Sequence, residues 1–304
     1  MTPAPADWPA KRREMHNHHM DSTRWNGFPY RDDDVIVATW AKSGTTWTQQ
    51  IITQLIFEGR EDVVAHEIAP WLDMRIMPWP ETLQALEAQT HRRVIKTHLP
   101  VDALGLSPLA RYIYVARDAR DIAWSMHNHH RAFNQGFLDE LNAVPGRVGP
   151  PLEPTTLDAR DYYNLWIEAD GAPFWPFWSH IQSWWDVRHL PNVMLVHFAG
   201  LKADMAGEAR RIAEFLGIEV SPEVWARVLE HSSFDWMKAN AERLVPMLDG
   251  AMEGGARSFI NRGENRRWAE VLSPAEIARC DEIAAANLTP DCAHWLRTGE
   301  LPAD

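Results

Sequence analysis

The chain has 304 residues, 45% hydrophobic and 24% charged; this globular composition excludes a disordered chain, a collagen and a coiled coil. A net charge of −12 argues against general binding to nucleic acid or an anionic membrane, yet leaves room for one basic pocket that takes one small anion. No run approaches the roughly 20 apolar residues of a membrane span. The N-terminal stretch lacks the apolar core of a secretory leader, and the two cysteines, Cys280 and Cys292, fit a reducing compartment, so a cytoplasmic location is expected.

Residues 1–29 are rich in Pro, His and charge and read as an irregular arm ahead of a single domain over 30–304. Asp34 to Thr39 is a short apolar run without alternation, the mark of a strand buried on both faces. A turn over Trp40 to Gly44 leads into a helix from Thr45 to Phe57, with Trp47, Ile51, Leu55 and Glu58 three or four apart. Arg93 to His98 is a second strand, stopped by Leu99-Pro100, and Arg111 to Ala116 a third, followed by a helix over Arg120 to Arg131. Phe133 to Thr156 reads as one long loop, Asp161 to Val187 as a helix broken by Gly-Ala-Pro at 171–173, and Asn192 to Phe198 as a fourth strand. Helices follow over Ala206 to Leu216 and Pro222 to Leu229, and a last one starts at Ser273-Pro274 with Glu276 as a capping-box partner. This alternation predicts an α/β fold: a P-loop-like, doubly wound parallel sheet flanked by helices, with its ligand at the carboxyl ends of the strands. The 16 tryptophans are expected mainly in the core. Met-His-Asn-His-His occurs at 15–19 and again at 126–130, a match too short to read as a repeat.

The densest chemistry lies after the first strand, in Lys42-Ser43-Gly44-Thr45-Thr46-Trp47. A loop between a buried strand and a helix N-terminus points free backbone N–H groups at one spot, and the helix dipole adds positive potential there. Gly44 lets the backbone approach an anion, the threonine hydroxyls donate, and Lys42 adds a full charge. The nucleoside-triphosphate loop places its Lys after the last Gly, whereas here Lys42 precedes Gly44 by two.

This segment resembles the 5′-phosphosulfate loop of the cytosolic-type sulfotransferases, enzymes that use 3′-phosphoadenosine 5′-phosphosulfate (PAPS). Three further segments match in order. Arg117, with Ser125 eight residues on, resembles the family's 3′-phosphate site; Lys96-Thr97-His98-Leu99-Pro100 resembles its base-bearing strand end. Asn261-Arg262-Gly263 with Trp268 resembles its Arg-Lys-Gly segment, Asn261 replacing the first basic residue. By that resemblance His98 is the general base, Lys42 and Lys96 stabilise the leaving oxygens, and Ser125 restrains Lys42. Trp47 stacks on adenine, with Phe198, Ser232 and Phe234 beside it. PAPS is then the co-substrate and no metal is needed; the His clusters at 16–19 and 127–130 lack carboxylate or Cys partners. The acceptor is expected to be a small aromatic or apolar alcohol or phenol, with His127, Asn128, His130, the loop 133–156, the aromatic stretch 174–178 and Met74, Met77 and Trp79 as candidate walls. The family's dimer motif would fall at 269–278 and is gone. A P-loop kinase and a catalytically silent PAPS-binding module are the competing readings.

Overall fold

The computed structural model describes residues 8–302. Four strands, β1 (Val35–Thr39), β2 (Val94–Thr97), β3 (Arg111–Ala116) and β4 (Val193–His197), form one sheet in the order β2-β1-β3-β4, with every neighbouring pair parallel. All five residues of β1 are buried, because both faces are covered. Val35 and Val37 face one core with Ile51, Ile52 and Ile212. Ile36 and Ala38 face the other, where Trp40, Trp166, Trp184 and Trp295 pack. Two-sided burial is what made these strands read as unbroken apolar runs.

The buried pair Asp34 and Arg93 fastens the entry of β1 to that of β2. Arg93 Nε and Nη2 donate to the two carboxylate oxygens at 2.7 and 2.5 Å, and both side chains are 1% exposed. Arg93 also donates to the Pro29 carbonyl at 2.9 Å, which anchors the arm. Residues 8–29 carry one turn of 3-10 helix, Ser22–Trp25, and bury Met15, Met20, Trp25 and Phe28 in the larger core.

Helix α1 (Thr45–Ile56) follows β1. The helices Ala119–Ala132, Met205–Leu216 and Pro222–His231 lie close to where the sequence places them, and Ser273 with Glu276 forms the expected capping box on Pro274–Asn287. The long loop over 133–156 is corrected. Asn134 caps a helix, Gln135–Ala143, by accepting from the Phe137 N–H, and only the Gly- and Pro-rich remainder is irregular. The 161–187 helix is two helices, Ala159–Glu168 and Trp178–Asp186, separated at the Gly-Ala-Pro break.

Removing one partner of the buried pair strands the other charge. Asp34→Ala is expected to lower unfolding free energy by about 3–5 kcal/mol, read from urea denaturation. A loss below about 1 kcal/mol would mean that Arg93 finds other partners at little cost.

Candidate active site

The carboxyl ends of β1, β2 and β3 open into one cavity of about 860 Å³. Register sets what meets there. Ala38 pairs with Thr97 and Thr39 with Val115, so the residues just after β1 and β2 emerge side by side. On the β1 side, the turn 40–44 leads into α1 through Gly44, whose φ of +114° and lack of a side-chain cap leave the first-turn N–H groups facing outward. A Cβ on Gly44 would lie 2.9 Å from the Phe198 ring, so only glycine fits. Lys42, Gly44, Thr45, Thr46 and Trp47 line the cavity. Ser43 is fully buried and absent from the wall, so its hydroxyl does not reach the cavity.

His98 stands beside this loop, 4% exposed. Its Nδ1–H donates to the Thr39 carbonyl at 2.7 Å and lies 3.0 Å from the Thr39 hydroxyl, which is itself 2.7 Å from the Thr45 hydroxyl. A carbonyl can only accept, so the proton is on Nδ1 and Nε2 keeps its lone pair. Trp71 meets the ring edge-on at 4.6 Å and Trp175 stacks at 5.8 Å. Burial, then the neighbouring Lys96 charge, holds the imidazole pKa well below its usual value, so the ring is neutral at pH 7.

The cations show the same strain. Burial, with Arg117 and Lys96 nearby, brings the Lys42 ammonium down to about 7. Burial brings Lys96 to about 8 against the support of Asp73. Lys42 Nζ rests 3.8 Å from the centre of the Phe259 ring, and Lys96 Nζ lies 4.4 Å from that of Trp71. The restraint of Lys42 expected from Ser125 is not made: the Ser125 hydroxyl has no hydrogen bond among the described residues, and Phe259 takes that place.

Arg117 leaves the end of β3 with its guanidinium 4.2 Å from the Phe198 ring centre. It donates to the Glu264 carbonyl at 2.8 Å and to Asn265 Oδ1 at 3.0 Å, so it draws the C-terminal loop over the cavity. Asn261, Arg262 and Gly263 of that loop line the wall; Gly263, at φ +61°, sits where a Cβ would meet the Phe234 ring at 2.8 Å. Phe198 and Phe234 also line it. Ser232 does not: its side chain is fully buried and its carbonyl accepts the Trp47 Nε1–H at 2.8 Å.

The far wall corrects several acceptor-side expectations. His127 and His130 turn away, bonded to the carbonyls of Leu157 and Glu153, while Asn128 and His129 line the cavity. Residue 129 lies one turn after Ser125 on the same helical face, a spacing that could have identified it. Within the aromatic stretch, Phe174 and Trp175 line the cavity, and Phe177 and Trp178 belong to the core. Trp79 is not on the wall, whereas Met74 and Met77 are. Asp73, unmarked in the sequence, is a buried carboxylate that accepts from Thr97, Trp25 and Trp71. Among the described residues, no group of three His, Cys, Asp or Glu side chains is placed to hold a metal ion.

A lysine-bearing turn at a helix N-terminus, a neutral imidazole beside it and an arginine under the C-terminal loop share one cavity. The sulfotransferase domain model matches residues 32–290. The chain is 32% identical over 306 residues to a glycolipid sulfotransferase of Mycobacterium bovis, covering 93% of this chain and 94% of the relative. It is 28% identical to rat sulfotransferase 1A1, covering 87% of each chain. The crystal structure of mouse sulfotransferase SULT7A1 complexed with 3′-phosphoadenosine 5′-phosphate (PAP) has the same fold, with a TM-score of 0.69 at 20% identity over 90% of this chain and 91% of that one. The chain belongs to the sulfotransferase family and is a sulfotransferase.

An anion seated against Lys42 favours its charged form, so PAP binding is expected to take up protons. Below about pH 6 the free ammonium is already charged and uptake fades; at about pH 8 it is largest, with Lys96 contributing. Calorimetric titration in two buffers of different ionisation enthalpy reads it, and Lys42→Arg should reduce it. Buffer-independent heats at pH 8 would contradict a depressed Lys42.

Proposed function

We propose that this sulfotransferase moves the sulfuryl group of PAPS to a hydroxyl of a small acceptor with an apolar body, and that His98 is the general base. The observation that carries the reading is the His98 tautomer: Nδ1–H is committed to the Thr39 carbonyl, which leaves Nε2 available beside the phosphate loop. The 5′-phosphosulfate would lie on Lys42 and the backbone of 43–46, at the N-terminus of α1. The 3′-phosphate would meet Arg117, Ser125 and the Asn261-Arg262-Gly263 segment, and adenine would lie among Trp47, Phe198 and Phe234.

In the step itself the acceptor O–H gives its proton to His98 Nε2 while its oxygen forms the new O–S bond. The bond from sulfur to the phosphate oxygen breaks, and PAP departs with its new charge against Lys42, with Lys96 nearby. Positive charge fixed in advance where the anion develops is the largest source of acceleration in such sites. The depressed His98 pKa keeps the base unprotonated. The acceptor would enter between Phe133, Phe174 and Trp175, past Met77 and Met247, which are 42% and 55% exposed at the rim. An opening of that kind also suits an acceptor with a long apolar tail, which a glycolipid has.

The test separates chemistry from binding. His98→Ala is expected to lower single-turnover transfer by roughly 10²–10⁴ with little change in PAP affinity. Arg117→Ala should cost about 1.5–3 kcal/mol of PAP binding, and PAP should stabilise the wild type far more than ATP does. Near-wild-type turnover of His98→Ala on an un-ionised alcohol would remove His98 as the base, and equal stabilisation by ATP and PAP would favour a kinase.

A further inference from the structure

The two Met-His-Asn-His-His segments, unrelated in the sequence reading, converge in space. The Phe174 ring lies 5.9 Å from that of His18, 5.8 Å from His19 and 5.2 Å from His130, and Phe133 lies 4.6 Å from His129. Of these four histidines, His19 and His129 line the cavity.

The protons on His18 and His19 follow from their partners. His18 Nε2 is 2.9 Å from the Pro173 carbonyl, which can only accept, so that nitrogen carries hydrogen. Burial disfavours a second proton on the ring, so His18 Nδ1 is a lone pair. That lone pair contacts Nδ1 of His19, which must therefore donate. His19 is 5% exposed, and burial followed by the neighbouring His18 keeps it neutral as well. The remaining nitrogen, His19 Nε2, is a lone pair with no hydrogen bond among the described residues. Its ring lies 6.2 Å from Trp71 and 6.0 Å from Trp175, the same two indoles that flank His98. Beside Trp71 and Trp175 the cavity thus carries two imidazole acceptors, His98 and His19, and the transfer reaction uses only that of His98.

We propose that His19 is a specificity-determining residue that accepts a hydrogen bond from a second hydroxyl of the acceptor, so that the cavity selects a polyhydroxylated, sugar-like head over a lone hydroxyl on an apolar body. The proposal rests on the reading of this cavity as the acceptor site. A single-hydroxyl acceptor satisfies His98 and leaves His19 buried without a partner; a polyol satisfies both. Sites built to bond a substrate hydroxyl discriminate strongly against analogues that lack it, because the site's own polar group is then stranded. The apolar rim at Met77 and Met247 is left to the tail of the same molecule.

The experiment compares n-octyl β-D-glucoside with 1-octanol as acceptors, by kcat/KM and by quenching of tryptophan fluorescence in the PAP-loaded protein. His19→Phe keeps a ring and removes the acceptor nitrogen; His19→Gln restores an acceptor oxygen. The glucoside-to-octanol ratio is expected to fall by about tenfold in His19→Phe and to recover in part in His19→Gln, in both turnover and binding. An unchanged ratio in a His19→Phe protein that still binds PAP would overturn the role of His19 and leave the sulfotransferase reading intact. Failure of PAP to bind the wild type would instead count against that reading.

Discussion

Thr39 is the point on which the site depends. Its carbonyl accepts the His98 Nδ1–H, and its hydroxyl joins His98 to Thr45 at the start of α1. One residue at the end of β1 therefore fixes His98, its tautomer and the head of α1 relative to one another. That geometry exists only because β1 and β2 are held in one register, with Ala38 opposite Thr97. A slip of one residue would turn His98 to the other face of the sheet. Register in turn is locked at the opposite end of the strands by the buried Asp34–Arg93 pair.

The chain is acidic overall, yet it gathers Lys42, Lys96 and Arg117 around one cavity. Burial takes these cations out of water, which shifts both lysines down, and at Lys42 the neighbouring Arg117 and Lys96 add repulsion. Aromatic faces meet all three cations: Phe259 at Lys42, Trp71 at Lys96 and Phe198 at Arg117. An anionic donor that displaces those faces relieves a cost already built into the fold. Asp73 supplies the one opposing contribution to Lys96, and it also ties Trp71, Trp25 and Thr97 together, so the support of Lys96 and the hold on Trp71 share one carboxylate.

The strands and the turn into α1 were legible because parallel strands covered on both faces appear as apolar runs, and because Gly44 marks a sharp turn between such a run and a helix. Side-chain direction was not legible. Ser43 and Ser232 lie in the expected segments but point into protein. The sequence points to His127 and His130, yet the helix turns both away and His129 inward. Contacts between distant segments were invisible for a deeper reason. His19 reaches the cavity only through the folding of the arm against Trp71 and Phe174, and nothing local to residues 15–19 encodes that. The helix Gln135–Ala143 was hidden by the Gly and Pro content of its neighbours, although Asn134 is a good cap.

Thr39 sets His98 as a neutral Nδ1–H imidazole whose Nε2 is free to take a proton. Two-dimensional ¹H–¹⁵N spectra of histidine-labelled protein distinguish the two neutral tautomers from the imidazolium, and His98→Ala identifies the signal among the 14 histidines. At pH 7 His98 is predicted to carry its proton on Nδ1 alone and to stay so as the pH falls through the ordinary histidine range. A proton on Nε2, or an imidazolium at pH 7, would rule out an imidazole held in this form by Thr39.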